Sequence, residues 1–141
     1  MRNHDEQYMQ MAEIWATNSY AVRHKVGALI VKDDHIISDG YNGMPKGYDN
    51  CCEHEENGQL VTNKEVLHAE ANAILKLAKF GVENGCAGAT LYVTLSPCFD
   101  CAKLIIQSGI KRVVYRENYR NLEGIEFLKK SGIEVVKLDE K

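Results

Sequence analysis

His68-Ala69-Glu70 and Pro97-Cys98-Phe99-Asp100-Cys101 constrain this chain more than any other feature, because the two segments make chemical sense only if the fold brings them together. His68, Cys98 and Cys101 are three zinc-type donors, and Glu70 is a carboxylate not needed as a fourth. A structural zinc is usually closed by four protein ligands, whereas a catalytic one keeps three and leaves the last corner of the tetrahedron for water. The set therefore reads as catalytic, with Glu70 placed to move protons on and off the bound water.

The two segments fall where helices are expected to begin. Cys98 and Cys101 are three apart in a first turn, so they face the same way, and the partial positive charge there favours thiolates. His68 and Glu70 are two apart, which on a regular helix splays them by roughly 200°. They converge on one site only if that site lies off the helix's end. Two helix N-termini meeting above a sheet satisfy this, and in an open α/β sheet that crevice is the usual ligand site.

The surrounding pattern supplies such a sheet. Met9, Ala12, Ile14, Trp15 and Ala16 predict an amphipathic helix over about Glu6–Asn18, with Met11 and Trp15 read as core or subunit contacts. Val26–Lys32 and His35–Tyr41 read as a hairpin across Asp33-Asp34, although the favoured Asn-Gly or Asp-Gly pair is absent. Asn42 to about Asn63 is rich in turn residues and reads as a loop. Helices then alternate with strands: Leu67–Phe80, Ala89–Leu95, Cys98–Ser108, Arg112–Tyr115, Leu122–Ser131 and Ile133–Leu138. Gly81, Gly109 and Gly132 stand as helix stops. The alternation predicts a sheet with helices on both faces and an antiparallel edge from the opening hairpin.

Other sources for Cys98-x-x-Cys101 are a redox pair or half of a four-cysteine structural site. The redox reading leaves His68 and Glu70 without a role. A four-cysteine site finds only adjacent Cys51-Cys52 as a second pair.

With 141 residues, 45% of them hydrophobic, the chain is one domain's worth (1–141) and buries a core without staples. No apolar run approaches the roughly 20 residues of a membrane span, and Met1–Tyr8 is polar with no apolar stretch after it. Five cysteines and no export signal argue for metal ligands and free thiols in a cytoplasmic protein. A net charge of −3 favours a small substrate over a nucleic-acid backbone.

The H-x-E and P-C-x-x-C pairing is the signature of zinc nucleobase deaminases. Three further stretches narrow it: Val26-Gly27-Ala28, Gly40-Tyr41-Asn42-Gly43-Met44-Pro45, and Cys101-Ala102-Lys103-Leu104-Ile105-Ile106-Gln107-Ser108-Gly109-Ile110. With them the chain resembles the deoxycytidylate deaminases of the cytidine deaminase-like superfamily. The resemblance implies a three-layer α/β/α fold on a five-stranded mixed sheet of order 2-1-3-4-5. It implies one catalytic Zn2+ on His68, Cys98 and Cys101, with Glu70 as general base and then general acid. The Ala69 amide and Ser96 carbonyl are expected at the polar edge of the ring and Asn42 at the sugar hydroxyl. The implied reaction converts dCMP to dUMP and ammonia, supplying dUMP for thymidylate synthesis.

For the phosphate, Ser19, Arg23, Lys25, Arg116, Tyr119 and Arg120 lie just outside strand ends, and Arg23 and Tyr119 are favoured. Cys51, Cys52 and His54, beside Glu53 and Glu55, invite a second zinc of the kind some relatives carry. They lack an obvious paired ligand set, and one zinc is the expectation. Cys86 reads as an incidental thiol. By the same resemblance a homo-oligomer is expected, a hexamer, with dCTP and dTTP as candidate effectors. A nucleoside cytidine deaminase, a tRNA adenosine deaminase and a non-catalytic zinc scaffold remain as alternatives. The charge balance disfavours the second of these and an intact Glu70 the third.

Overall fold

The computed structural model describes residues 3–140, so Met1 and Arg2 of the polar Met1–Tyr8 stretch lie outside the described residues. Helix α1 (Asp5–Ala16) buries Met9, Ala12 and Ala16, which share one face. Ile14 and Trp15, expected in that apolar stripe, face outward, and Trp15 meets Tyr41 edge-on at 6.3 Å. Five positions beyond Met9, Ile14 has turned past the side of the helix that meets the sheet.

Strands β1 (Gly27–Lys32) and β2 (His35–Tyr41) form the expected hairpin. Asp33 and Asp34 both take positive φ, 51° and 61°, so two aspartates adopt the primed turn usually made by Asn-Gly. The stretch read as loop contains a second hairpin, β3 (Glu53–Glu56) and β4 (Gln59–Thr62), closed by Asn57-Gly58 at φ 52° and 78°. Asn-Gly was the available signal, but the four-residue flanks are mostly polar and show no apolar alternation to mark them as strands.

The remainder is α2 (Ala69–Phe80), β5 (Thr90–Leu95), α3 (Phe99–Ser108), β6 (Arg112–Glu117), α4 (Glu123–Lys130) and β7 (Glu134–Lys137). The main sheet runs β2-β1-β5-β6-β7, which is 2-1-3-4-5 when only its own strands are counted. β1 pairs antiparallel with β2 and β5, while β5, β6 and β7 are parallel.

Alternation along the central strands builds two cores. Ala28, Ile30, Leu91, Val93, Val113 and Tyr115 face α2, α3 and α4, packing on Ala73, Leu77, Ile105, Ile125 and Leu128. Leu29, Val31, Tyr92 and Val114 face Met9 and Ala12 of α1. Strands covered on both sides read as continuous apolar runs, as these do. Because Ala28 pairs with Val93, and Val93 with Tyr115, the start of β1 and the ends of β5 and β6 lie at one end of the sheet. Among the described residues, no helix is long and apolar enough to cross a membrane.

Candidate active site

Both helices begin slightly later than expected, α2 by two residues and α3 by one, so each leading ligand stands just before its helix. His68 and Cys98 are the N-cap residues of α2 and α3, extended at φ −77°, ψ 157° and φ −74°, ψ 172°, and neither side chain caps its own helix. A Ser or Asp there would add about 1 kcal/mol to the helix. Instead, both side chains turn toward each other.

Nδ1 of His68 lies 3.2 Å from the Cys101 sulfur and 3.5 Å from the Cys98 sulfur. Tetrahedral zinc with bonds of 2.3 Å to sulfur and 2.0–2.1 Å to nitrogen sets these donors about 3.6 Å apart. The donor set fits zinc in chemistry and spacing. Among the described residues it is the one converging group of three or more His, Cys, Asp or Glu side chains.

Glu70 sits in the first turn of α2 and is 4% exposed. Burial pushes its carboxyl up to about 7. The hydrogen bond with Cys101, assisted by His68, brings the Cys98 thiol down to about 4. The same Cys98 bond, with burial, raises Cys101, and a bond to Cys98 raises His68. Taking up a metal as two thiolates and a neutral imidazole therefore releases protons, chiefly from Cys101.

His68, Cys98 and Glu70 open into one cavity. His68, Glu70, Cys98 and Ser96 line one part, and Arg23, Glu53, Thr62 and Tyr119 also line it. Ala69 contributes an amide from the first turn of α2, where helix N–H groups have no partner within the helix.

Asn42 also lines the cavity, but part of its amide is engaged. Its Oδ1 accepts the Val26 N–H at 2.9 Å, and its Nδ2 donates to the His24 carbonyl at 2.8 Å. One N–H and one lone pair remain for a ligand. The Ser96 hydroxyl accepts the Tyr119 N–H at 2.6 Å, so the residue expected to present a carbonyl also anchors the Tyr119 loop.

Two phosphate candidates have other duties. Ser19 is buried, donates to the Asn42 carbonyl and accepts the Ala21 N–H. Arg116 is buried against Glu6 and Glu13 of α1. Lys25 and Arg120 are exposed and outside the described cavity lining.

Cys51, Cys52 and His54 are not gathered as a ligand set. The two thiols donate to the Glu53 and Asn50 carbonyls, and His54 meets Asn63 and Glu56. Strand β3 turns His54 outward while Glu53 points in. Glu53 and Thr62 are cavity residues that sequence reasoning missed. Glu53 was visible only as an acid beside the cysteines, and Thr62 carried no signal.

Residues 2–117 match the cytidine and deoxycytidylate deaminase zinc-binding region. The chain belongs to this family. This deaminase-family chain is similar to the deoxycytidylate deaminase of Enterobacteria phage T4, at 38% identity over 94% of the chain and 89% of that protein. The deoxycytidylate deaminase of Mycobacterium phage D29 is 40% identical, over 79% and 92%. A crystal structure of the dCMP deaminase of cyanophage S-TIM5, in complex with dCMP and dUMP, covers 98% of this chain and 99% of its own. It has 44% identity and a TM-score of 0.89. The deaminase fold expected from the motifs is therefore the fold observed.

Proposed function

We propose that the chain catalyses the hydrolytic deamination of dCMP to dUMP and ammonia, with one zinc per chain held by His68, Cys98 and Cys101. The observation that carries this reading is one cavity lined by the buried Glu70 carboxylate, by His68 and Cys98 of the three-donor cluster, and by Arg23 and Tyr119. Its support is the similarity to a dCMP deaminase that binds dCMP and dUMP.

When bound, zinc supplies a water whose pKa is lowered toward neutrality. Glu70 takes a proton from the attacking water and passes it to ring nitrogen 3 as oxygen bonds to carbon 4. It then moves the proton of the new hydroxyl to the 4-amino group. The carbon–nitrogen bond breaks, the carbonyl forms and ammonia leaves. Enclosure of Glu70 on all sides but the cavity keeps these protons from bulk water.

The Ala69 amide and the Ser96 carbonyl hold the ring's polar edge, Asn42 the sugar hydroxyl, and Arg23 and Tyr119 the 5′-phosphate. The outward Met11, Ile14 and Trp15 of α1 fit a homo-oligomer, taken as a hexamer. Candidate effectors are dCTP and dTTP, in a cytoplasmic enzyme of nucleotide supply.

The test is a comparison of cytidine, deoxycytidine, CMP, dCMP and dCTP with the zinc-loaded protein, following ammonia and the loss of cytosine absorbance. Turnover of dCMP far above deoxycytidine is expected. Equal efficiency on the two would assign the chain to nucleoside deaminases, and activity on a tRNA stem-loop alone to the editing enzymes.

A further inference from the structure

Glu53 is only 9% exposed, yet it stands on a short outer hairpin whose other β3 residues face solvent. Its Oε2 accepts two main-chain donors, the Val22 N–H at 2.8 Å and the Arg23 N–H at 3.0 Å. Directly across the hairpin, Thr62 pairs in register with Glu53, and its hydroxyl accepts from the Arg23 guanidinium at 3.1 Å. One cross-strand pair thus grips Arg23 at both its backbone and its head. Glu53, Thr62 and Arg23 line the same cavity as His68 and Glu70.

We propose that Glu53 is a positioning residue for substrate phosphate, acting from the β3–β4 hairpin through the Val22–Arg23 main chain to hold Arg23 at the cavity. This rests on the reading of Arg23 as a contact to the 5′-phosphate of dCMP. A carboxylate near a phosphate costs free energy by like-charge repulsion. Here the carboxylate is engaged by two N–H donors in charge-assisted hydrogen bonds. In return, an exposed arginine is ordered before the substrate arrives, which reduces what binding must spend on immobilising it. Thr62 supplies the second point of attachment, so the hairpin makes the chain selective for a nucleotide over a nucleoside.

The experiment compares Glu53→Gln, Thr62→Val, Arg23→Ala and the Glu53→Gln/Arg23→Ala pair. Each is assayed with dCMP and deoxycytidine and titrated calorimetrically with dUMP and deoxyuridine, with zinc content as the check on the site. Glu53→Gln is expected to raise KM for dCMP about tenfold, the scale of one charged hydrogen bond, with kcat little changed. Affinity for dUMP falls in parallel, while deoxycytidine turnover and deoxyuridine binding stay as they were. Thr62→Val moves the same quantities in the same direction by less, and it reports even if Glu53→Gln folds poorly. Once Arg23 is alanine, Glu53→Gln adds nothing further.

Equal losses on dCMP and deoxycytidine would reduce Glu53 to general support and overturn the proposal. So would additivity with Arg23→Ala, or tighter dCMP binding after the carboxylate is removed. If Arg23→Ala raises KM while both hairpin variants are silent, the phosphate reading stands and the role of Glu53 is wrong. If Arg23→Ala is itself silent, the phosphate reading fails and this inference falls with it.

Discussion

Nδ1 of His68 lies 3.2 Å from the sulfur of Cys101 across 33 positions of sequence. The start of each helix is held there by a glycine on a neighbouring element. A Cβ on Gly40 of β2 would fall 2.6 Å from the Ala69 carbonyl oxygen of α2, and one on Gly124 of α4 2.2 Å from the Pro97 carbonyl oxygen before α3. Backbone atoms occupy both places, so no side chain can swing aside to admit a methyl group. The two N-termini are thereby located by close backbone packing.

Gly124→Ala is expected to loosen the metal site. Alanine raises helix propensity by about 1 kcal/mol, but overpacking against Pro97 and Cys98 costs about 1–3 kcal/mol. The displaced Cys98 weakens zinc binding. Chelator competition and thermal unfolding measure the two effects separately, and an unchanged zinc affinity would mean that this contact does not hold Cys98 in place.

Glu70→Gln is expected to keep one zinc per chain and the fold while lowering turnover by about 10²–10⁴-fold, the usual span for a general acid–base group. The ligands are untouched and only the proton carrier is lost. Metal content and rate are read on the same sample. Retention of a tenth of the activity would remove Glu70 from the proton path.

Cys98→Ser and His68→Ala are each expected to lose zinc and stability together, because the free energy of metal binding is partly folding free energy. Elemental analysis decides this. Stoichiometric zinc in either variant would strike that residue from the ligand set, and two zincs per wild-type chain would return Cys51, Cys52 and His54 to consideration.

Acid stability tests the packing of α1 on the sheet. Arg112 grips the buried Asp5 with two hydrogen bonds, of 2.9 and 2.6 Å, and Tyr92 adds a third at 2.6 Å. The Arg112 bonds hold the Asp5 carboxyl below its ordinary 3.8 despite burial. A carboxyl whose folded pKa is depressed contributes stability above its unfolded value and loses it as pH falls through the folded one. Asp5→Asn is therefore expected to cost about 1.5–3 kcal/mol at pH 7, and the gap from wild type should narrow below about pH 4. Denaturant unfolding at pH 7 and pH 3 measures it, and a gap independent of pH would exclude the Asp5 charge as its source.

Local rules made much of this molecule legible before any coordinates. Short apolar runs, helix spacing and glycine stops placed the elements of the main sheet to within a few residues, because each depends on neighbours along the chain. The separation of His68 and Glu70 by two positions also required a site off the end of a helix, which is where the histidine stands as an N-cap. Tertiary structure alone decided which polar residues were available. Ser19, Lys25, Arg116 and Arg120 stood beside the favoured Arg23 and Tyr119 as phosphate candidates, but Ser19 is spent on Asn42 and Arg116 on the acids of α1. Glu53 looked like part of a metal cluster until the Asn57-Gly58 turn set it inward, against the Arg23 backbone. Periodicity and turn chemistry act over a few residues, whereas the partner of a buried polar group is chosen by chain segments that meet only when the fold closes.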